Sequence, residues 1–112
     1  MNISSDKKSD PNESPVNYTI RVIGGKWKPL IIWAILNGTN RFGALQRALP
    51  NITKKMLTSQ LRELEADGIL HREVFPVVPP RVDYSLTEKG MTLRPLLEMM
   101  CHWGIEFQKK DK

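Results

Sequence analysis

NITKKMLTSQLRELEADG, Asn51 to Gly68, reads as one helix with two chemically different faces. Thr53 stands at the position of an N-cap, where a side-chain oxygen accepts a hydrogen bond from an otherwise orphaned backbone N–H. Gly68 falls where a left-handed residue stops a helix at low steric cost. Between them Leu57, Leu61 and Leu64 recur at the four-then-three spacing of a buried stripe, with Ile52 packing at the entry. At roughly 100° per residue the opposite face collects Lys55, Thr58, Ser59 and Arg62, with Lys54 at its flank. Basic side chains and short hydroxyls are the groups that contact phosphates and base edges. The acids Glu63, Glu65 and Asp67 all come in the second half, an order that suits a helix entering a DNA groove by its N-terminal end. A solvated polar face on an ordinary core helix has the same pattern, and this helix alone does not separate the two readings.

The charge around this helix is lopsided. Net charge is +5, yet from Ser14 through Arg62 there is no acid at all, while Arg21, Lys26, Lys28, Arg41, Arg47, Lys54, Lys55 and Arg62 are basic. Beyond Glu63 the two signs are close to balanced. Positive potential concentrated in one half points to a polyanionic partner, and nucleic acid is the first choice. A membrane surface fits less well, since no basic amphipathic helix shows a broad insertable face. The chain has 112 residues, 40% of them hydrophobic and 26% charged, which describes one small soluble domain. Its longest apolar run, Leu30 to Leu36, is far too short to span a bilayer. The N-terminus lacks an apolar signal region, and the single cysteine excludes an internal disulfide; both features predict a cytoplasmic protein.

Residues 1–14 are polar, mixed in charge and free of aromatics, the composition of a flexible tail. A short helix is expected from Pro15, with Val16, Ile20 and Ile23 on one side and Gly24-Gly25 as its end. A second helix is expected over Lys26 to Asn37, tolerating Pro29 only because it lies in the first turn. Its apolar residues surround it, so it should be the central core helix, with Trp27 in the core and not serving as a base-stacking platform. Phe42, Leu45 and Leu49 mark a short third helix that Pro50 ends. Two helices joined by a short turn, the second basic on its outer face, make a helix-turn-helix.

After Gly68 the apolar period changes from 3.6 to 2. Leu70, Arg72 and Val74 alternate with His71 and Glu73, and Val82, Tyr84 and Leu86 alternate with Arg81, Asp83 and Ser85. Pro76-Val77-Val78-Pro79-Pro80 forms a stiff tip between them. A hairpin of this size needs helices to pack on, and directly after a helix-turn-helix it forms a wing. Arg72 and Arg81 lie within reach of a backbone or minor groove there, or are solvated strand charges. Ser85 has capping-box spacing to Glu88, and Thr87 is the other candidate cap. The last helix is expected to run to about Gln108, with Pro95 kinking or restarting it. Leu93, Leu96, Met100, Trp103 and Phe107 repeat along it, with Leu97 and Gly104 alongside. This is more apolar surface than three helices and a wing cover. Together with Val16 and Ile20 it predicts a dimer through the terminal helices; a monomer closed by its last helix is the rival.

The motifs together resemble the HxlR-type transcriptional regulators, winged-helix relatives of the MarR group found in bacteria and archaea. The resemblance rests on IGGKWKPLII (Ile23 to Ile32), RFGALQRALPNITKKMLTSQLRELEADGIL (Arg41 to Leu70), VPPRVDYSLTEKG (Val78 to Gly90) and Trp103-Gly104. It implies a mainly α fold with a small β-hairpin (α+β) over residues 15–112. It also implies a homodimer that binds palindromic double-stranded DNA as repressor or activator. By this likeness Lys54, Lys55, Thr58, Ser59 and Arg62 belong to the groove-reading helix and Arg81 to the wing. Arg41 and Arg72 are further candidate DNA contacts on their charge and place in the chain. Several members of the family sense oxidants or electrophiles through a cysteine just before the proline that opens the first helix. Ser14 occupies that place here and supports neither a disulfide nor a sulfenate. The lone Cys101 stands in apolar company, where a thiol's pKa rises and its reactivity falls. A small-molecule or redox effector is left open.

No catalytic constellation, metal-ligand set or cofactor motif is visible. His71 and His102 are far apart, and His102 points about 100° away from Cys101 on a helix. Two other readings stand beside the regulator: a non-sequence-specific architectural nucleic-acid binder, and a winged helix used for protein contacts.

Overall fold

Ser14, Thr53 and Thr87 each open a helix by accepting a hydrogen bond from one of its free backbone N–H groups. The computed structural model describes residues 10–111. Along them run α1 (Pro15–Ile23), α2 (Lys28–Leu36), α3 (Phe42–Ala48), α4 (Lys54–Ala66), β1 (Leu70–Phe75), β2 (Arg81–Leu86), α5 (Glu88–Met91) and α6 (Arg94–Gln108). Most of the expected tail, residues 1–9, lies outside the described residues. Its end turns onto α1, where Glu13 accepts hydrogen bonds of 3.2 Å from Nε and Nη2 of Arg21. Ser14 caps α1, its Oγ accepting from the backbone N–H of Asn17 at 3.0 Å, and Pro15 takes the first turn.

α2 starts two residues later than expected. Gly25 adopts a left-handed φ of 89° and residues 25–27 form a turn, which brings Pro29 to the second helical position. There its missing N–H had no intrahelical partner to lose. α2 then runs through the middle of the molecule, touching α3, α4, α6 and β2. Ile31 and Ile32 are fully buried, and Trp27 and Trp33 pack against the core from its edge. Leu45, Leu57, Leu61, Leu64 and Ile69 complete the centre of that core. The connection from α3 to α4 is as tight as Pro50 demands: Asn51 takes φ 71°, and the Ile52 N–H bonds the Leu49 carbonyl.

The strands pair antiparallel from Leu70↔Leu86 to Phe75↔Arg81. Alternation of burial holds only at the base, where Leu70 and Tyr84 are covered; Val74 is exposed because the strands run out beyond the helices. The wing is also more than a hairpin. An isolated bridge joins Arg41 to Asp83, and the Tyr84 N–H donates to the Asn40 carbonyl at 2.8 Å. The segment before α3 thus lies against β2 as a third strand fragment.

Of the two candidate caps after β2, Thr87 wins. Its hydroxyl accepts from the Gly90 N–H at 2.9 Å and donates to the Gly68 carbonyl, while Ser85 faces solvent from the strand. Gly90 is buried against the Ile69 carbonyl, where a Cβ would collide with that oxygen. Pro95 restarts the chain as α6 at its second position and does not kink a longer helix. Leu97 is the residue of α6 that enters the core, and Leu93 packs against it from the preceding turn. No helix among the described residues is long and apolar enough to cross a membrane.

Candidate nucleic-acid interface

α4 is held at both ends and along its inner face, so its outer face is fixed in space. Thr53 Oγ1 accepts from the Met56 N–H at 3.0 Å, as its position predicted. At the other end Gly68 takes the left-handed φ of 76°, and the Ile69 N–H reaches back to the Leu64 carbonyl. Leu57, Leu61 and Leu64 are buried, which turns Lys54, Lys55, Thr58, Ser59 and Arg62 outward along one open surface that Glu63 borders. Among the described residues Lys54, Lys55 and Arg62 carry no ion pair. Thr58 is more constrained than its sequence position suggests. Its hydroxyl donates to the Lys54 carbonyl at 2.8 Å, so towards solvent it offers an acceptor and a methyl group. Ser59 is exposed, and among the described residues its hydroxyl makes no such bond.

Lys28 does not belong to this surface. It is 5% exposed, and its Nζ lies 2.6 Å from Oε1 of Glu63. The acid-free run of the first half therefore overstates the field at the surface, since this base is spent on an acid of α4. The pairing also quenches the acid nearest the basic face. Sequence spacing gave no sign of it, because the two residues meet only when α2 packs on α4.

The wing's arginines are all paired. Arg72 Nε lies 3.6 Å from Glu65, and Asp83 is shared by Arg41 Nε at 3.7 Å and Arg81 Nε at 3.3 Å. Arg81 also lies over the Phe75 ring, 4.1 Å from its centre. A cleft of about 230 Å³ separates the wing from the helices, lined by Phe42, Thr58, Arg62, Glu65, Arg72 and Tyr84. Burial pushes the Tyr84 phenol above its ordinary pKa; Arg72 opposes the shift, Glu65 adds to it and Arg62 opposes it.

The residues assigned to self-association divide. Val16, Ile20, Leu96, Met100 and Trp103 are exposed, joined by Met99, which the repeat along α6 did not single out. Leu93 and Phe107 are half-buried, Leu93 against its own core and Phe107 against the Trp103 ring at 5.0 Å. An apolar groove of about 520 Å³ opens between α1 and α6, lined among others by Val16, Ile20, Ile23, Leu96 and Met100. Cys101 is a half-buried free thiol. Among the described residues no three His, Cys, Asp or Glu side chains converge as a metal site would require.

Two helices joined by a tight turn, the second presenting unpaired cations, with a hairpin braced behind them, define a winged helix-turn-helix. A model described as HxlR-like helix-turn-helix matches residues 22–112, and the chain belongs to that family. The HTH-type transcriptional regulator YybR of Bacillus subtilis (strain 168) is 52% identical over 104 residues, 91% of this chain and 83% of that protein. The structure of the redox regulator HypR in its reduced form matches with a TM-score of 0.81 at 54% identity, covering 85% of this chain and 94% of that one. A MarR-family transcriptional regulator from Enterococcus faecalis V583 matches with a TM-score of 0.74 at 42% identity, over 91% of this chain and 96% of its own.

Proposed function

We propose that the protein is a transcriptional regulator that binds a palindromic DNA operator as a homodimer, with no catalytic step of its own. The observation that carries this reading is the outer face of α4, where Lys54, Lys55 and Arg62, with no ion pair among the described residues, stand beside Ser59 on a helix locked by caps and core. Cations without internal partners lose nothing internal when they meet phosphate, and binding is driven by the counterions they release. Membership of the family and the name of its relative YybR agree with the reading.

Two copies joined across the α1–α6 groove would bury Val16, Ile20, Leu96, Met99, Met100 and Trp103, apolar side chains that water now covers. An interface of this kind is isologous, so the two α4 helices are related by a twofold axis and read half-sites about 34 Å apart. The redox designation of HypR is not carried over to residue 14. Ser14 serves there as the cap of α1, and the thiol of this chain lies in α6. Selection of bound duplexes from random DNA at about 0.15 M salt tests the proposal, alongside sedimentation of the free protein. Enrichment of a palindrome by a dimer is the expected result. Binding without enrichment would assign the protein to non-specific architectural binding, and no binding would assign it to protein contacts.

A further inference from the structure

The two halves of the interface are built on opposite electrostatic plans. The cations of α4 have no ion pair among the described residues, whereas the wing's Arg41 and Arg81 converge on one carboxylate oxygen, Oδ1 of Asp83, at 3.7 and 3.3 Å. That oxygen and the Arg81 Nε are both buried, and neither completes a well-aligned hydrogen bond. The cluster is therefore held by charge, with no directed bond that a phosphate would have to replace. Its geometry is set by the backbone: the Arg41↔Asp83 bridge and the Tyr84-to-Asn40 bond place the carboxylate between the two arginines. The side chains of Arg41 and Arg81 remain 57% and 39% exposed, so each arm is still open to solvent.

We propose that Asp83 is a specificity-determining residue, an internal competitor that restrains Arg41 and Arg81 from binding phosphate on DNA that α4 does not fit. The inference rests on the DNA-binding reading above. A carboxylate and a phosphate compete for the same guanidinium. On mixed sequence the wing adds little, because the Asp83 carboxylate already offsets part of the charge of both arginines. On a duplex that seats α4 in its groove, the wing is brought close enough for phosphates to draw the guanidinium groups outward. Discrimination thus arises from a residue that faces no base.

The test is Asp83→Asn in the full chain, which keeps the side-chain shape and removes its charge. Affinity is measured against a selected duplex and a mixed-sequence duplex over a series of salt concentrations. The mixed-sequence Kd is expected to fall roughly three- to tenfold, its salt slope to steepen by about 1–2 per dimer, and the ratio between the two duplexes to shrink. Asp83→Glu keeps the charge and is expected to retain the wild-type slope. Adding Arg41→Gln and Arg81→Gln to Asp83→Asn should abolish the gain. Unchanged slopes, weaker binding to both duplexes, or a gain that survives loss of the arginines would each overturn the proposal. The Nε–Hε NMR signal of Arg81 gives a DNA-free readout: protected from water exchange in the wild type, faster in Asp83→Asn. Equal protection in both would reject the clamp whatever the DNA result. If the wild type bound no duplex at all, the DNA-binding reading itself would fail, and this role for Asp83 with it.

Discussion

At the scale of single residues, the interface depends on which charges are already matched. Lys28 illustrates the cost of burying one: its ammonium is nearly enclosed, but Glu63 is about a third exposed at 37%, so solvent screens the pair from one side. Lys28→Met is expected to lower unfolding free energy in urea by about 1–2 kcal/mol, less than a fully buried pair would lose, because Glu63 can still reach water. On the outer face, Arg62→Ala or Ser59→Ala should change sequence preference by about 1–3 kcal/mol at one base position. Lys55→Ala should weaken all duplexes alike and flatten the salt slope by about 1 for each subunit. If competition binding found an unaltered preference in the first two variants, their base-reading role would be lost. Tyr84 supplies a pH signature. Its phenol is raised by burial, so folded and unfolded chains both hold the proton below about pH 10, where stability is complete. Above that the unfolded chain ionises first, and stability falls as pH rises through the folded pKa. Tyr84→Phe should flatten that part of the fall in denaturant titrations between neutral and alkaline pH.

At the scale of elements, α4 works because three independent constraints agree. The Thr53 cap, the leucine stripe and the Gly68 stop each fix one degree of freedom, and together they determine which side chains point outward. Thr53→Ala should cost about 1 kcal/mol in chemical denaturation, with weaker DNA binding following from fraying of the basic first turn. A loss of binding with no change in stability would mean that Thr53 contacts DNA directly. The wing depends on a different kind of support. A two-stranded hairpin is too small to stand alone, and here the Asn40–Arg41 segment and the Thr87 hydroxyl tie its base to the helices. Its tip has no such cover.

At the scale of the whole molecule, the exposed apolar side chains of α1 and α6 are the surface through which the proposed dimer would form. Trp103 is 67% exposed and Val16 69%. Trp103→Glu should shift the protein to monomer in sedimentation equilibrium and reduce operator affinity far more than half-site affinity. A dimer that survives this change would place the interface elsewhere. With about four to five phosphates neutralised by each subunit, log affinity for a selected duplex should fall against log salt with a slope near −7 to −9. A slope shallower than about −3 would rule out two α4 helices bound at once.

The helix-turn-helix, its caps and the outward set on α4 were legible because they rest on local periodicity and on residues with narrow backbone preferences. Leucine at helical spacing, Thr53 before it and Gly68 after it permit one arrangement, which the structure adopts. The choice of Thr87 over Ser85, the restart at Pro95 and the inward turn of Leu97 are different, since each depends on which neighbour lies within a few ångströms after packing. Charge shows the division most clearly. Sequence alone established that the first half of the chain is basic. Tertiary structure decided that Lys28 would be buried against Glu63, that Arg41 and Arg81 would share Asp83, and that Lys54, Lys55 and Arg62 would have no ion pair among the described residues. The physical reason is that an ion pair requires two groups within about 4 Å: Arg81 and Asp83 are neighbours on one strand, but Lys28 and Glu63, 35 positions apart, and Arg41 and Asp83, 42 apart, come that close only when the fold brings them together.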